Sequence, residues 1–139
     1  MESLISLQHI DLTFNKGTVN EQELFKDFSL DVHKGEFVSV VGSNGSGKTT
    51  MLNLICGTLH AQDGKILLEG HDISKKPEYI RAKRIGRVFQ DPAKGTCPDL
   101  TIMENLSLAD NKGFPYNLTK GVRSEKREYY KELLSQLEM

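Results

Sequence analysis

The sequence runs to 139 residues, 37% apolar and 27% charged, which is enough for one ordinary core and, by default, one domain. A formal net charge of −1 and a pI near 6.4 give no overall pull toward polyanions, so no nucleic-acid partner is expected. No apolar run approaches the roughly 20 residues that cross a bilayer, and Met1-Glu2-Ser3 does not open a signal peptide; the expectation is a cytoplasmic chain that only a partner brings to a membrane.

From the N-terminus, Leu4 to Phe14 alternates in part between apolar and polar residues and predicts a half-buried strand. Asn15-Lys16-Gly17 turns it, Thr18 to Glu23 is a polar loop, and Leu24 to Val32 predicts a second strand. After the tight turn Lys34-Gly35-Glu36 comes Phe37-Val38-Ser39-Val40-Val41, apolar on both faces, as expected for a strand in the middle of a parallel sheet.

That run leads into Gly42-Ser43-Asn44-Gly45-Ser46-Gly47-Lys48-Thr49, which spells G-x-x-x-x-G-K-S/T, and a helix pattern from Thr49 and Thr50 to Cys56 leads out of it. A strand before and a helix after are the context in which this motif binds a nucleoside triphosphate. Its glycines let the backbone curl so that N–H groups converge on phosphate oxygens. The helix start adds unpaired N–H groups and the positive end of its dipole. In such a loop Lys48 reaches the β- and γ-phosphates and the Thr49 hydroxyl ligates Mg²⁺. Cys56 falls on the apolar stripe of the helix and reads as a small core residue. Cys97 has no paired-cysteine spacing with it, and the histidines at 9, 33, 60 and 71 share no metal-ligand spacing.

Beyond the helix, Asp63-Gly64 turns into a strand over Lys65-Ile66-Leu67-Leu68, ended by Glu69-Gly70-His71-Asp72. A short basic helix is predicted from Pro77 to Arg84 and a strand from Ile85 to Gln90. The basic residues Lys75, Lys76, Arg81, Lys83, Arg84 and Arg87 read as a solvated face, because the chain as a whole carries no basic excess. Asp91 to Pro98 is loop chemistry. Thr101 and Glu104 form a capping box for a helix through Leu108, and Asn111 to Gly121 is irregular. Ser124 to Glu138 predicts an amphipathic helix with Tyr130, Leu133, Leu134 and Leu137 on one face.

The run Phe28 to Thr50 resembles the ATP-binding subunits of ATP-binding-cassette (ABC) transporters. Gly64 to Ile73 is similar to the hairpin that follows the loop helix in that family. Val88-Phe89-Gln90-Asp91-Pro92 resembles its Q-loop, and Leu100 to Leu106 the helix opening its α-helical subdomain. The resemblance spans residues 4 to 110 with its features in order. It implies an α/β P-loop nucleoside-triphosphatase fold of ABC type. Residues 1–90 would form a β-rich ATP-binding part, and 91–139 the start of the helical subdomain.

It further implies ATP and Mg²⁺ as ligands and Phe14 as the aromatic that stacks on adenine. Gln90 would be the residue that reaches Mg²⁺ and the attacking water. Taken by itself Phe14 reads as a core residue of the strand, and Gln90 as a polar residue at a strand end. The partners implied are transmembrane permease subunits, received in a groove between Gln90 and Leu106, and a second nucleotide-binding subunit or homodimer mate. The protein would then sit peripherally on the cytoplasmic face of the cell membrane. The Gln90 to Thr96 run is similar to that of amino-acid importers.

Hydrolysis in this family also uses a strand ending in Asp-Glu, an L-S-G-G-Q signature and a switch histidine. Ile66-Leu67-Leu68-Glu69 sits one hairpin beyond the loop helix and does not serve as that strand. Leu106-Ser107-Leu108 and Leu118-Thr119-Lys120-Gly121 lack the glycine pair. The expectation is an N-terminal portion of a transporter ATPase subunit, inactive by itself. A soluble ABC-type ATPase acting on nucleic acid or ribosomes, or a non-hydrolysing binding fragment, are the alternatives.

Overall fold

The computed structural model describes residues 3–114 and 121–137, so Pro115 to Lys120 of the predicted irregular stretch and the predicted helix end at Glu138 lie outside the described residues. The chain divides into two compact units, Met1–Arg81 and Ala82–Met139.

The first unit is built on a four-stranded antiparallel sheet in the order β2-β1-β3-β4, formed by β1 (Ser3–Phe14), β2 (Gln22–His33), β3 (Asp63–Leu68) and β4 (His71–Asp72). The partial alternation in β1 has a cause. Its buried apolar residues are Leu7, then Ile10 and Leu12, so the inward phase slips by one between 7 and 10. A double bulge absorbs the slip: the β1–β2 register shifts between Leu7 and Ile10, where His9 has φ 51°, and again between Ile10 and Leu12, where Asp27 on β2 has φ 49°. The bulge is held by the Ser29 hydroxyl, which accepts from the His9 N–H at 3.0 Å, and by the Asp11 carboxylate, which accepts from the Asp27 N–H at 2.7 Å. Between β3 and β4, Glu69 and Gly70 both have positive φ, the geometry of a two-residue hairpin turn.

Helix α1 (Lys48–Cys56) lays Met51 and Leu54 against Leu7, Ile10, Leu12 and Ile66 of the sheet, and these six make the core. Its far end is closed by Gly57 and by Arg81, the last residue of the short helix α2 (Glu78–Arg81). Arg81 is only 2% exposed. Its guanidinium donates to the carbonyls of Leu54 (2.7 Å), Ile55 (3.1 Å), Lys76 (2.8 Å) and Ser74 (2.8 Å). Burial pushes the group below its ordinary pKa, while the helix C-terminus offers the negative dipole end that suits a cation. The reading of the basic stretch as a solvated face is therefore corrected at Arg81. It is corrected in part at Arg87, half-buried with its guanidinium 4.6 Å from the Phe89 ring centre. Helix α2 is also shorter than the predicted 77–84.

The predicted strands at 37–41 and 85–90 do not form among the described residues. Phe37 and Val41 are 95% and 91% exposed, and Val88 is 97% exposed. A run apolar on both faces needs a ladder partner on each side and a layer above and below. Strands β1 and β3 are already paired on both edges, and among the described residues no strand lies beside 37–41 or 85–90 to supply that ladder.

The second unit holds a 3₁₀ turn over Pro92–Lys94, helix α3 (Ile102–Asp110) and helix α4 (Ser124–Ser135). The capping box opens α3 as predicted, with the Glu104 carboxylate accepting from the Thr101 N–H at 2.8 Å. The hydrogen bond from the Thr101 hydroxyl, then this one from its N–H, holds Glu104 below the usual carboxylate range. Asn105 ties the preceding loop to the helix, exchanging hydrogen bonds with the N–H and carbonyl of Cys97. Tyr130 on α4 is buried and donates to the Asp110 carboxylate at 2.9 Å, while Leu133 and Leu134 are half-buried and Leu137 is exposed.

Candidate functional site: the phosphate loop

Residues Gly42 to Gly47 form a turn that delivers the chain into α1, which begins at Lys48 rather than Thr49. Gly47, the residue before the helix, has φ 91°, and a Cβ there would lie 3.1 Å from Phe25 Cζ and 3.3 Å from Leu24 Cγ. Both the left-handed backbone and the close packing of β2 against it call for glycine. A Cβ on Gly42 would come within 2.5 Å of the Ser46 hydroxyl oxygen, so the loop closes tightly across its base. Leu24 and Phe25 thus support the loop from β2. A strand pattern marks them as core residues and carries no sign of this second task.

No side chain caps the start of α1. An N-terminal turn without a side-chain acceptor leaves N–H groups for an anion. Lys48 bends back over the loop, its Nζ donating at 2.7 Å to the carbonyls of both Gly42 and Ser43. Its ammonium therefore already stands at the loop. Ser43, Asn44, Gly45, Ser46 and Thr49 are exposed, and Gly47, Lys48 and Thr50 half-buried. Among the described residues, no group of three or more His, Cys, Asp or Glu side chains is placed to hold a metal ion. The side-chain oxygens at this site are the hydroxyls of Ser43, Ser46, Thr49 and Thr50 and the amide oxygen of Asn44. A hard cation such as Mg²⁺ fits a hydroxyl there when phosphate oxygens supply further ligands.

The sequence model of the ABC transporter family matches residues 25–139. The chain belongs to the ABC transporter family. It is 42% identical over 120 residues to a tyrosine transport ATP-binding protein of Clostridioides difficile, covering 86% of this chain and 48% of that one. It is 32% identical over 123 residues to a bacitracin export ATP-binding protein of Halalkalibacterium halodurans, covering 86% and 46%. Among solved structures it is similar to a dimeric ATP-binding cassette in a post-hydrolysis state bound to ADP and Pi. The TM-score is 0.76 with 28% identity, covering 97% of this chain and 57% of that one. The chain spans about half the length of the curated relatives it matches. Its fold is that of the ABC-type P-loop ATPases.

Phe14 and Gln90, the two further residues to which the family resemblance points, fall in different places. Phe14 ends β1 in the first unit, half-buried and packed against the core. Gln90 is exposed and belongs to the second unit.

Proposed function

We propose that this chain is the ATP-binding part of a membrane transporter, one that couples ATP binding and hydrolysis to transport. The observation that carries the reading is the uncapped, glycine-closed start of α1 with Lys48 folded over it, in a chain of the ABC family. The ligand-free contacts of Lys48 are to neutral carbonyls. Phosphate oxygens replace them with acceptors that are themselves charged, so that both partners of each bond are ionised. The loop N–H groups and Lys48 then stabilise charge that builds on the γ-phosphoryl group, while Phe14 stacks on the base. Mg²⁺, when bound, neutralises phosphate charge; the Thr49 hydroxyl would hold it, and Gln90 keeps the role that the family resemblance gives it.

The partners that fit this reading are transmembrane permease subunits and a second cassette; the dimeric cassette and the transport relatives support both. Such a protein works at the cytoplasmic face of the cell membrane. Among the described residues no helix is long and apolar enough to cross one, in keeping with reliance on a separate permease. The Gln90–Thr96 run and the tyrosine-transport relative both favour an amino-acid cargo. The 139 residues alone are proposed to bind MgATP without turning it over.

Calorimetric titration of MgATP into the protein and its Lys48→Ala variant tests the assignment. Loss of the ammonium removes charge-assisted hydrogen bonds worth about 1.5–3 kcal/mol each, so affinity falls at least about tenfold. Equal binding by the two proteins would remove Lys48 from the site.

A further inference from the structure

We propose that Gln62 is a positioning residue that fixes Phe14, and so the adenine base, relative to the phosphate loop. The inference rests on the reading of Phe14 as the base-stacking ring. Paired β1 and β3 residues reach Asp11↔Asp63 and go no further, after a register shift beyond Gln8. Past that point the side chain of Gln62 takes over. Its Nε2 donates to the Thr13 carbonyl at 2.7 Å, and its Oε1 accepts from the Thr13 N–H at 3.0 Å. The Gln62 N–H donates in turn to the Asp11 carbonyl at 3.0 Å. A carboxamide carries the same donor and acceptor as a peptide group, so it extends the ladder by one rung where no strand residue is available. Thr13 immediately precedes Phe14, and on the other side β2 pairs with both through Glu23 and Gln22. Without Gln62, the end of β1 that carries the ring would be held from one side only.

The same residue lies a short way beyond the phosphate-loop helix. Helix α1 ends at Cys56, and Gly57 to Ala61 lead directly to Gln62. One short segment therefore sets both ends of a ligand of fixed length: the triphosphate at the start of α1 and the base at Phe14. Glutamine is the side chain that fits. Glutamate has the same length but would turn a carboxylate oxygen toward the Thr13 carbonyl, and asparagine is one methylene short.

The test is calorimetric binding of MgATP and of magnesium tripolyphosphate to the full chain and to Phe14→Ala, Gln62→Ala, Gln62→Glu and the Phe14→Ala/Gln62→Ala double variant. Thermal melts check the fold; Gln62 is exposed, so its variants are expected to remain folded. Phe14→Ala is expected to weaken ATP by about fivefold or more, with tripolyphosphate little changed, because only ATP has a base to stack. Both Gln62 variants should weaken ATP by about threefold with tripolyphosphate unchanged, since misplacing a positioned group costs binding without removing it. The double variant should lose no more base selectivity than Phe14→Ala, as for residues acting through one another. A residue that only stabilised the fold would weaken both ligands alike or neither. If Phe14→Ala is selective and the Gln62 variants are not, the role of Gln62 is overturned and Phe14 keeps its own. If Phe14→Ala is not selective, the stacking role falls and the Gln62 inference falls with it.

Discussion

The cation of Arg81 replaces the water that backbone carbonyls at a helix end would otherwise keep. It supplies four donors to four acceptors, and the planar fork of the guanidinium is what reaches all of them from one side chain. An Arg81→Met variant of similar length would leave those carbonyls without their partner in a dry site. Hydrogen bonds to a charged group contribute about 1.5–3 kcal/mol each, and water entry recovers some of that, so unfolding free energy should drop by about 3 kcal/mol or more. Arg81→Lys should recover only part, because a point charge with three donors lacks the fork. Urea unfolding of both, beside Lys83→Met at an exposed position, measures the difference; an Arg81→Met protein as stable as that control would contradict this role.

At the scale of elements, α3 and α4 meet through Asp110, which accepts from the Tyr130 hydroxyl and pairs with Lys126 at 3.0 Å. The Lys126 hydrogen bond, then that of Tyr130, holds Asp110 below the usual carboxylate range, and Lys126 is raised in turn. A depressed carboxylate contributes stability that is present above its unfolded pKa of about 3.9 and is lost as pH falls through its lower folded value. The stability gap between the protein and Asp110→Asn should therefore be constant from neutral pH down to about 4 and shrink below it, read from the unfolding midpoint at each pH. A gap unchanged on acidification would mean that the Asp110 charge does not hold the helices together. The capping box of α3 was legible in the sequence because its signal is local: Thr101 and Glu104 satisfy each other. The phosphate loop was legible for the same reason, as were β1, β2 and α1 to within a residue or two. The runs at 37–41 and 85–90 were misread because periodicity reports which faces could be buried and says nothing about whether a ladder partner is available. Arg81 escaped because its burial depends on a helix end far away in sequence.

For the whole molecule, the binding loop and the sheet below it lie in one unit, while the family's acid-bearing strand and signature are not found in these 139 residues. The chain alone should therefore show no ATP turnover that Lys48→Ala abolishes, measured as phosphate release from contaminant-free protein. Lys48-dependent turnover would force a search for a substitute carboxylate, beginning with Glu69, Asp91 and Glu104. Hydrogen exchange should be equally uneven. Amides of β1, paired on both edges, should be protected, and those of 37–41 and 85–89 should exchange at rates close to those of an unfolded chain. Protection at 37–41 in the isolated chain would show that some ladder forms there after all.

The sheet order β2-β1-β3 has a consequence for how the chain comes to be folded. Strands β1 and β2 form a hairpin from contiguous sequence, and β3 can add to it only by closing the connection from Lys34 to Gln62, which contains the phosphate loop and α1. Closing such a loop costs entropy that the β1–β3 pairing must first offset. During N-to-C synthesis the hairpin can form as it emerges, the closure can follow once β3 is out, and Arg81 can set the helix end as the last residue of the unit. The curl at the start of α1 is thus shaped by zipping strands, with no ligand needed to form it.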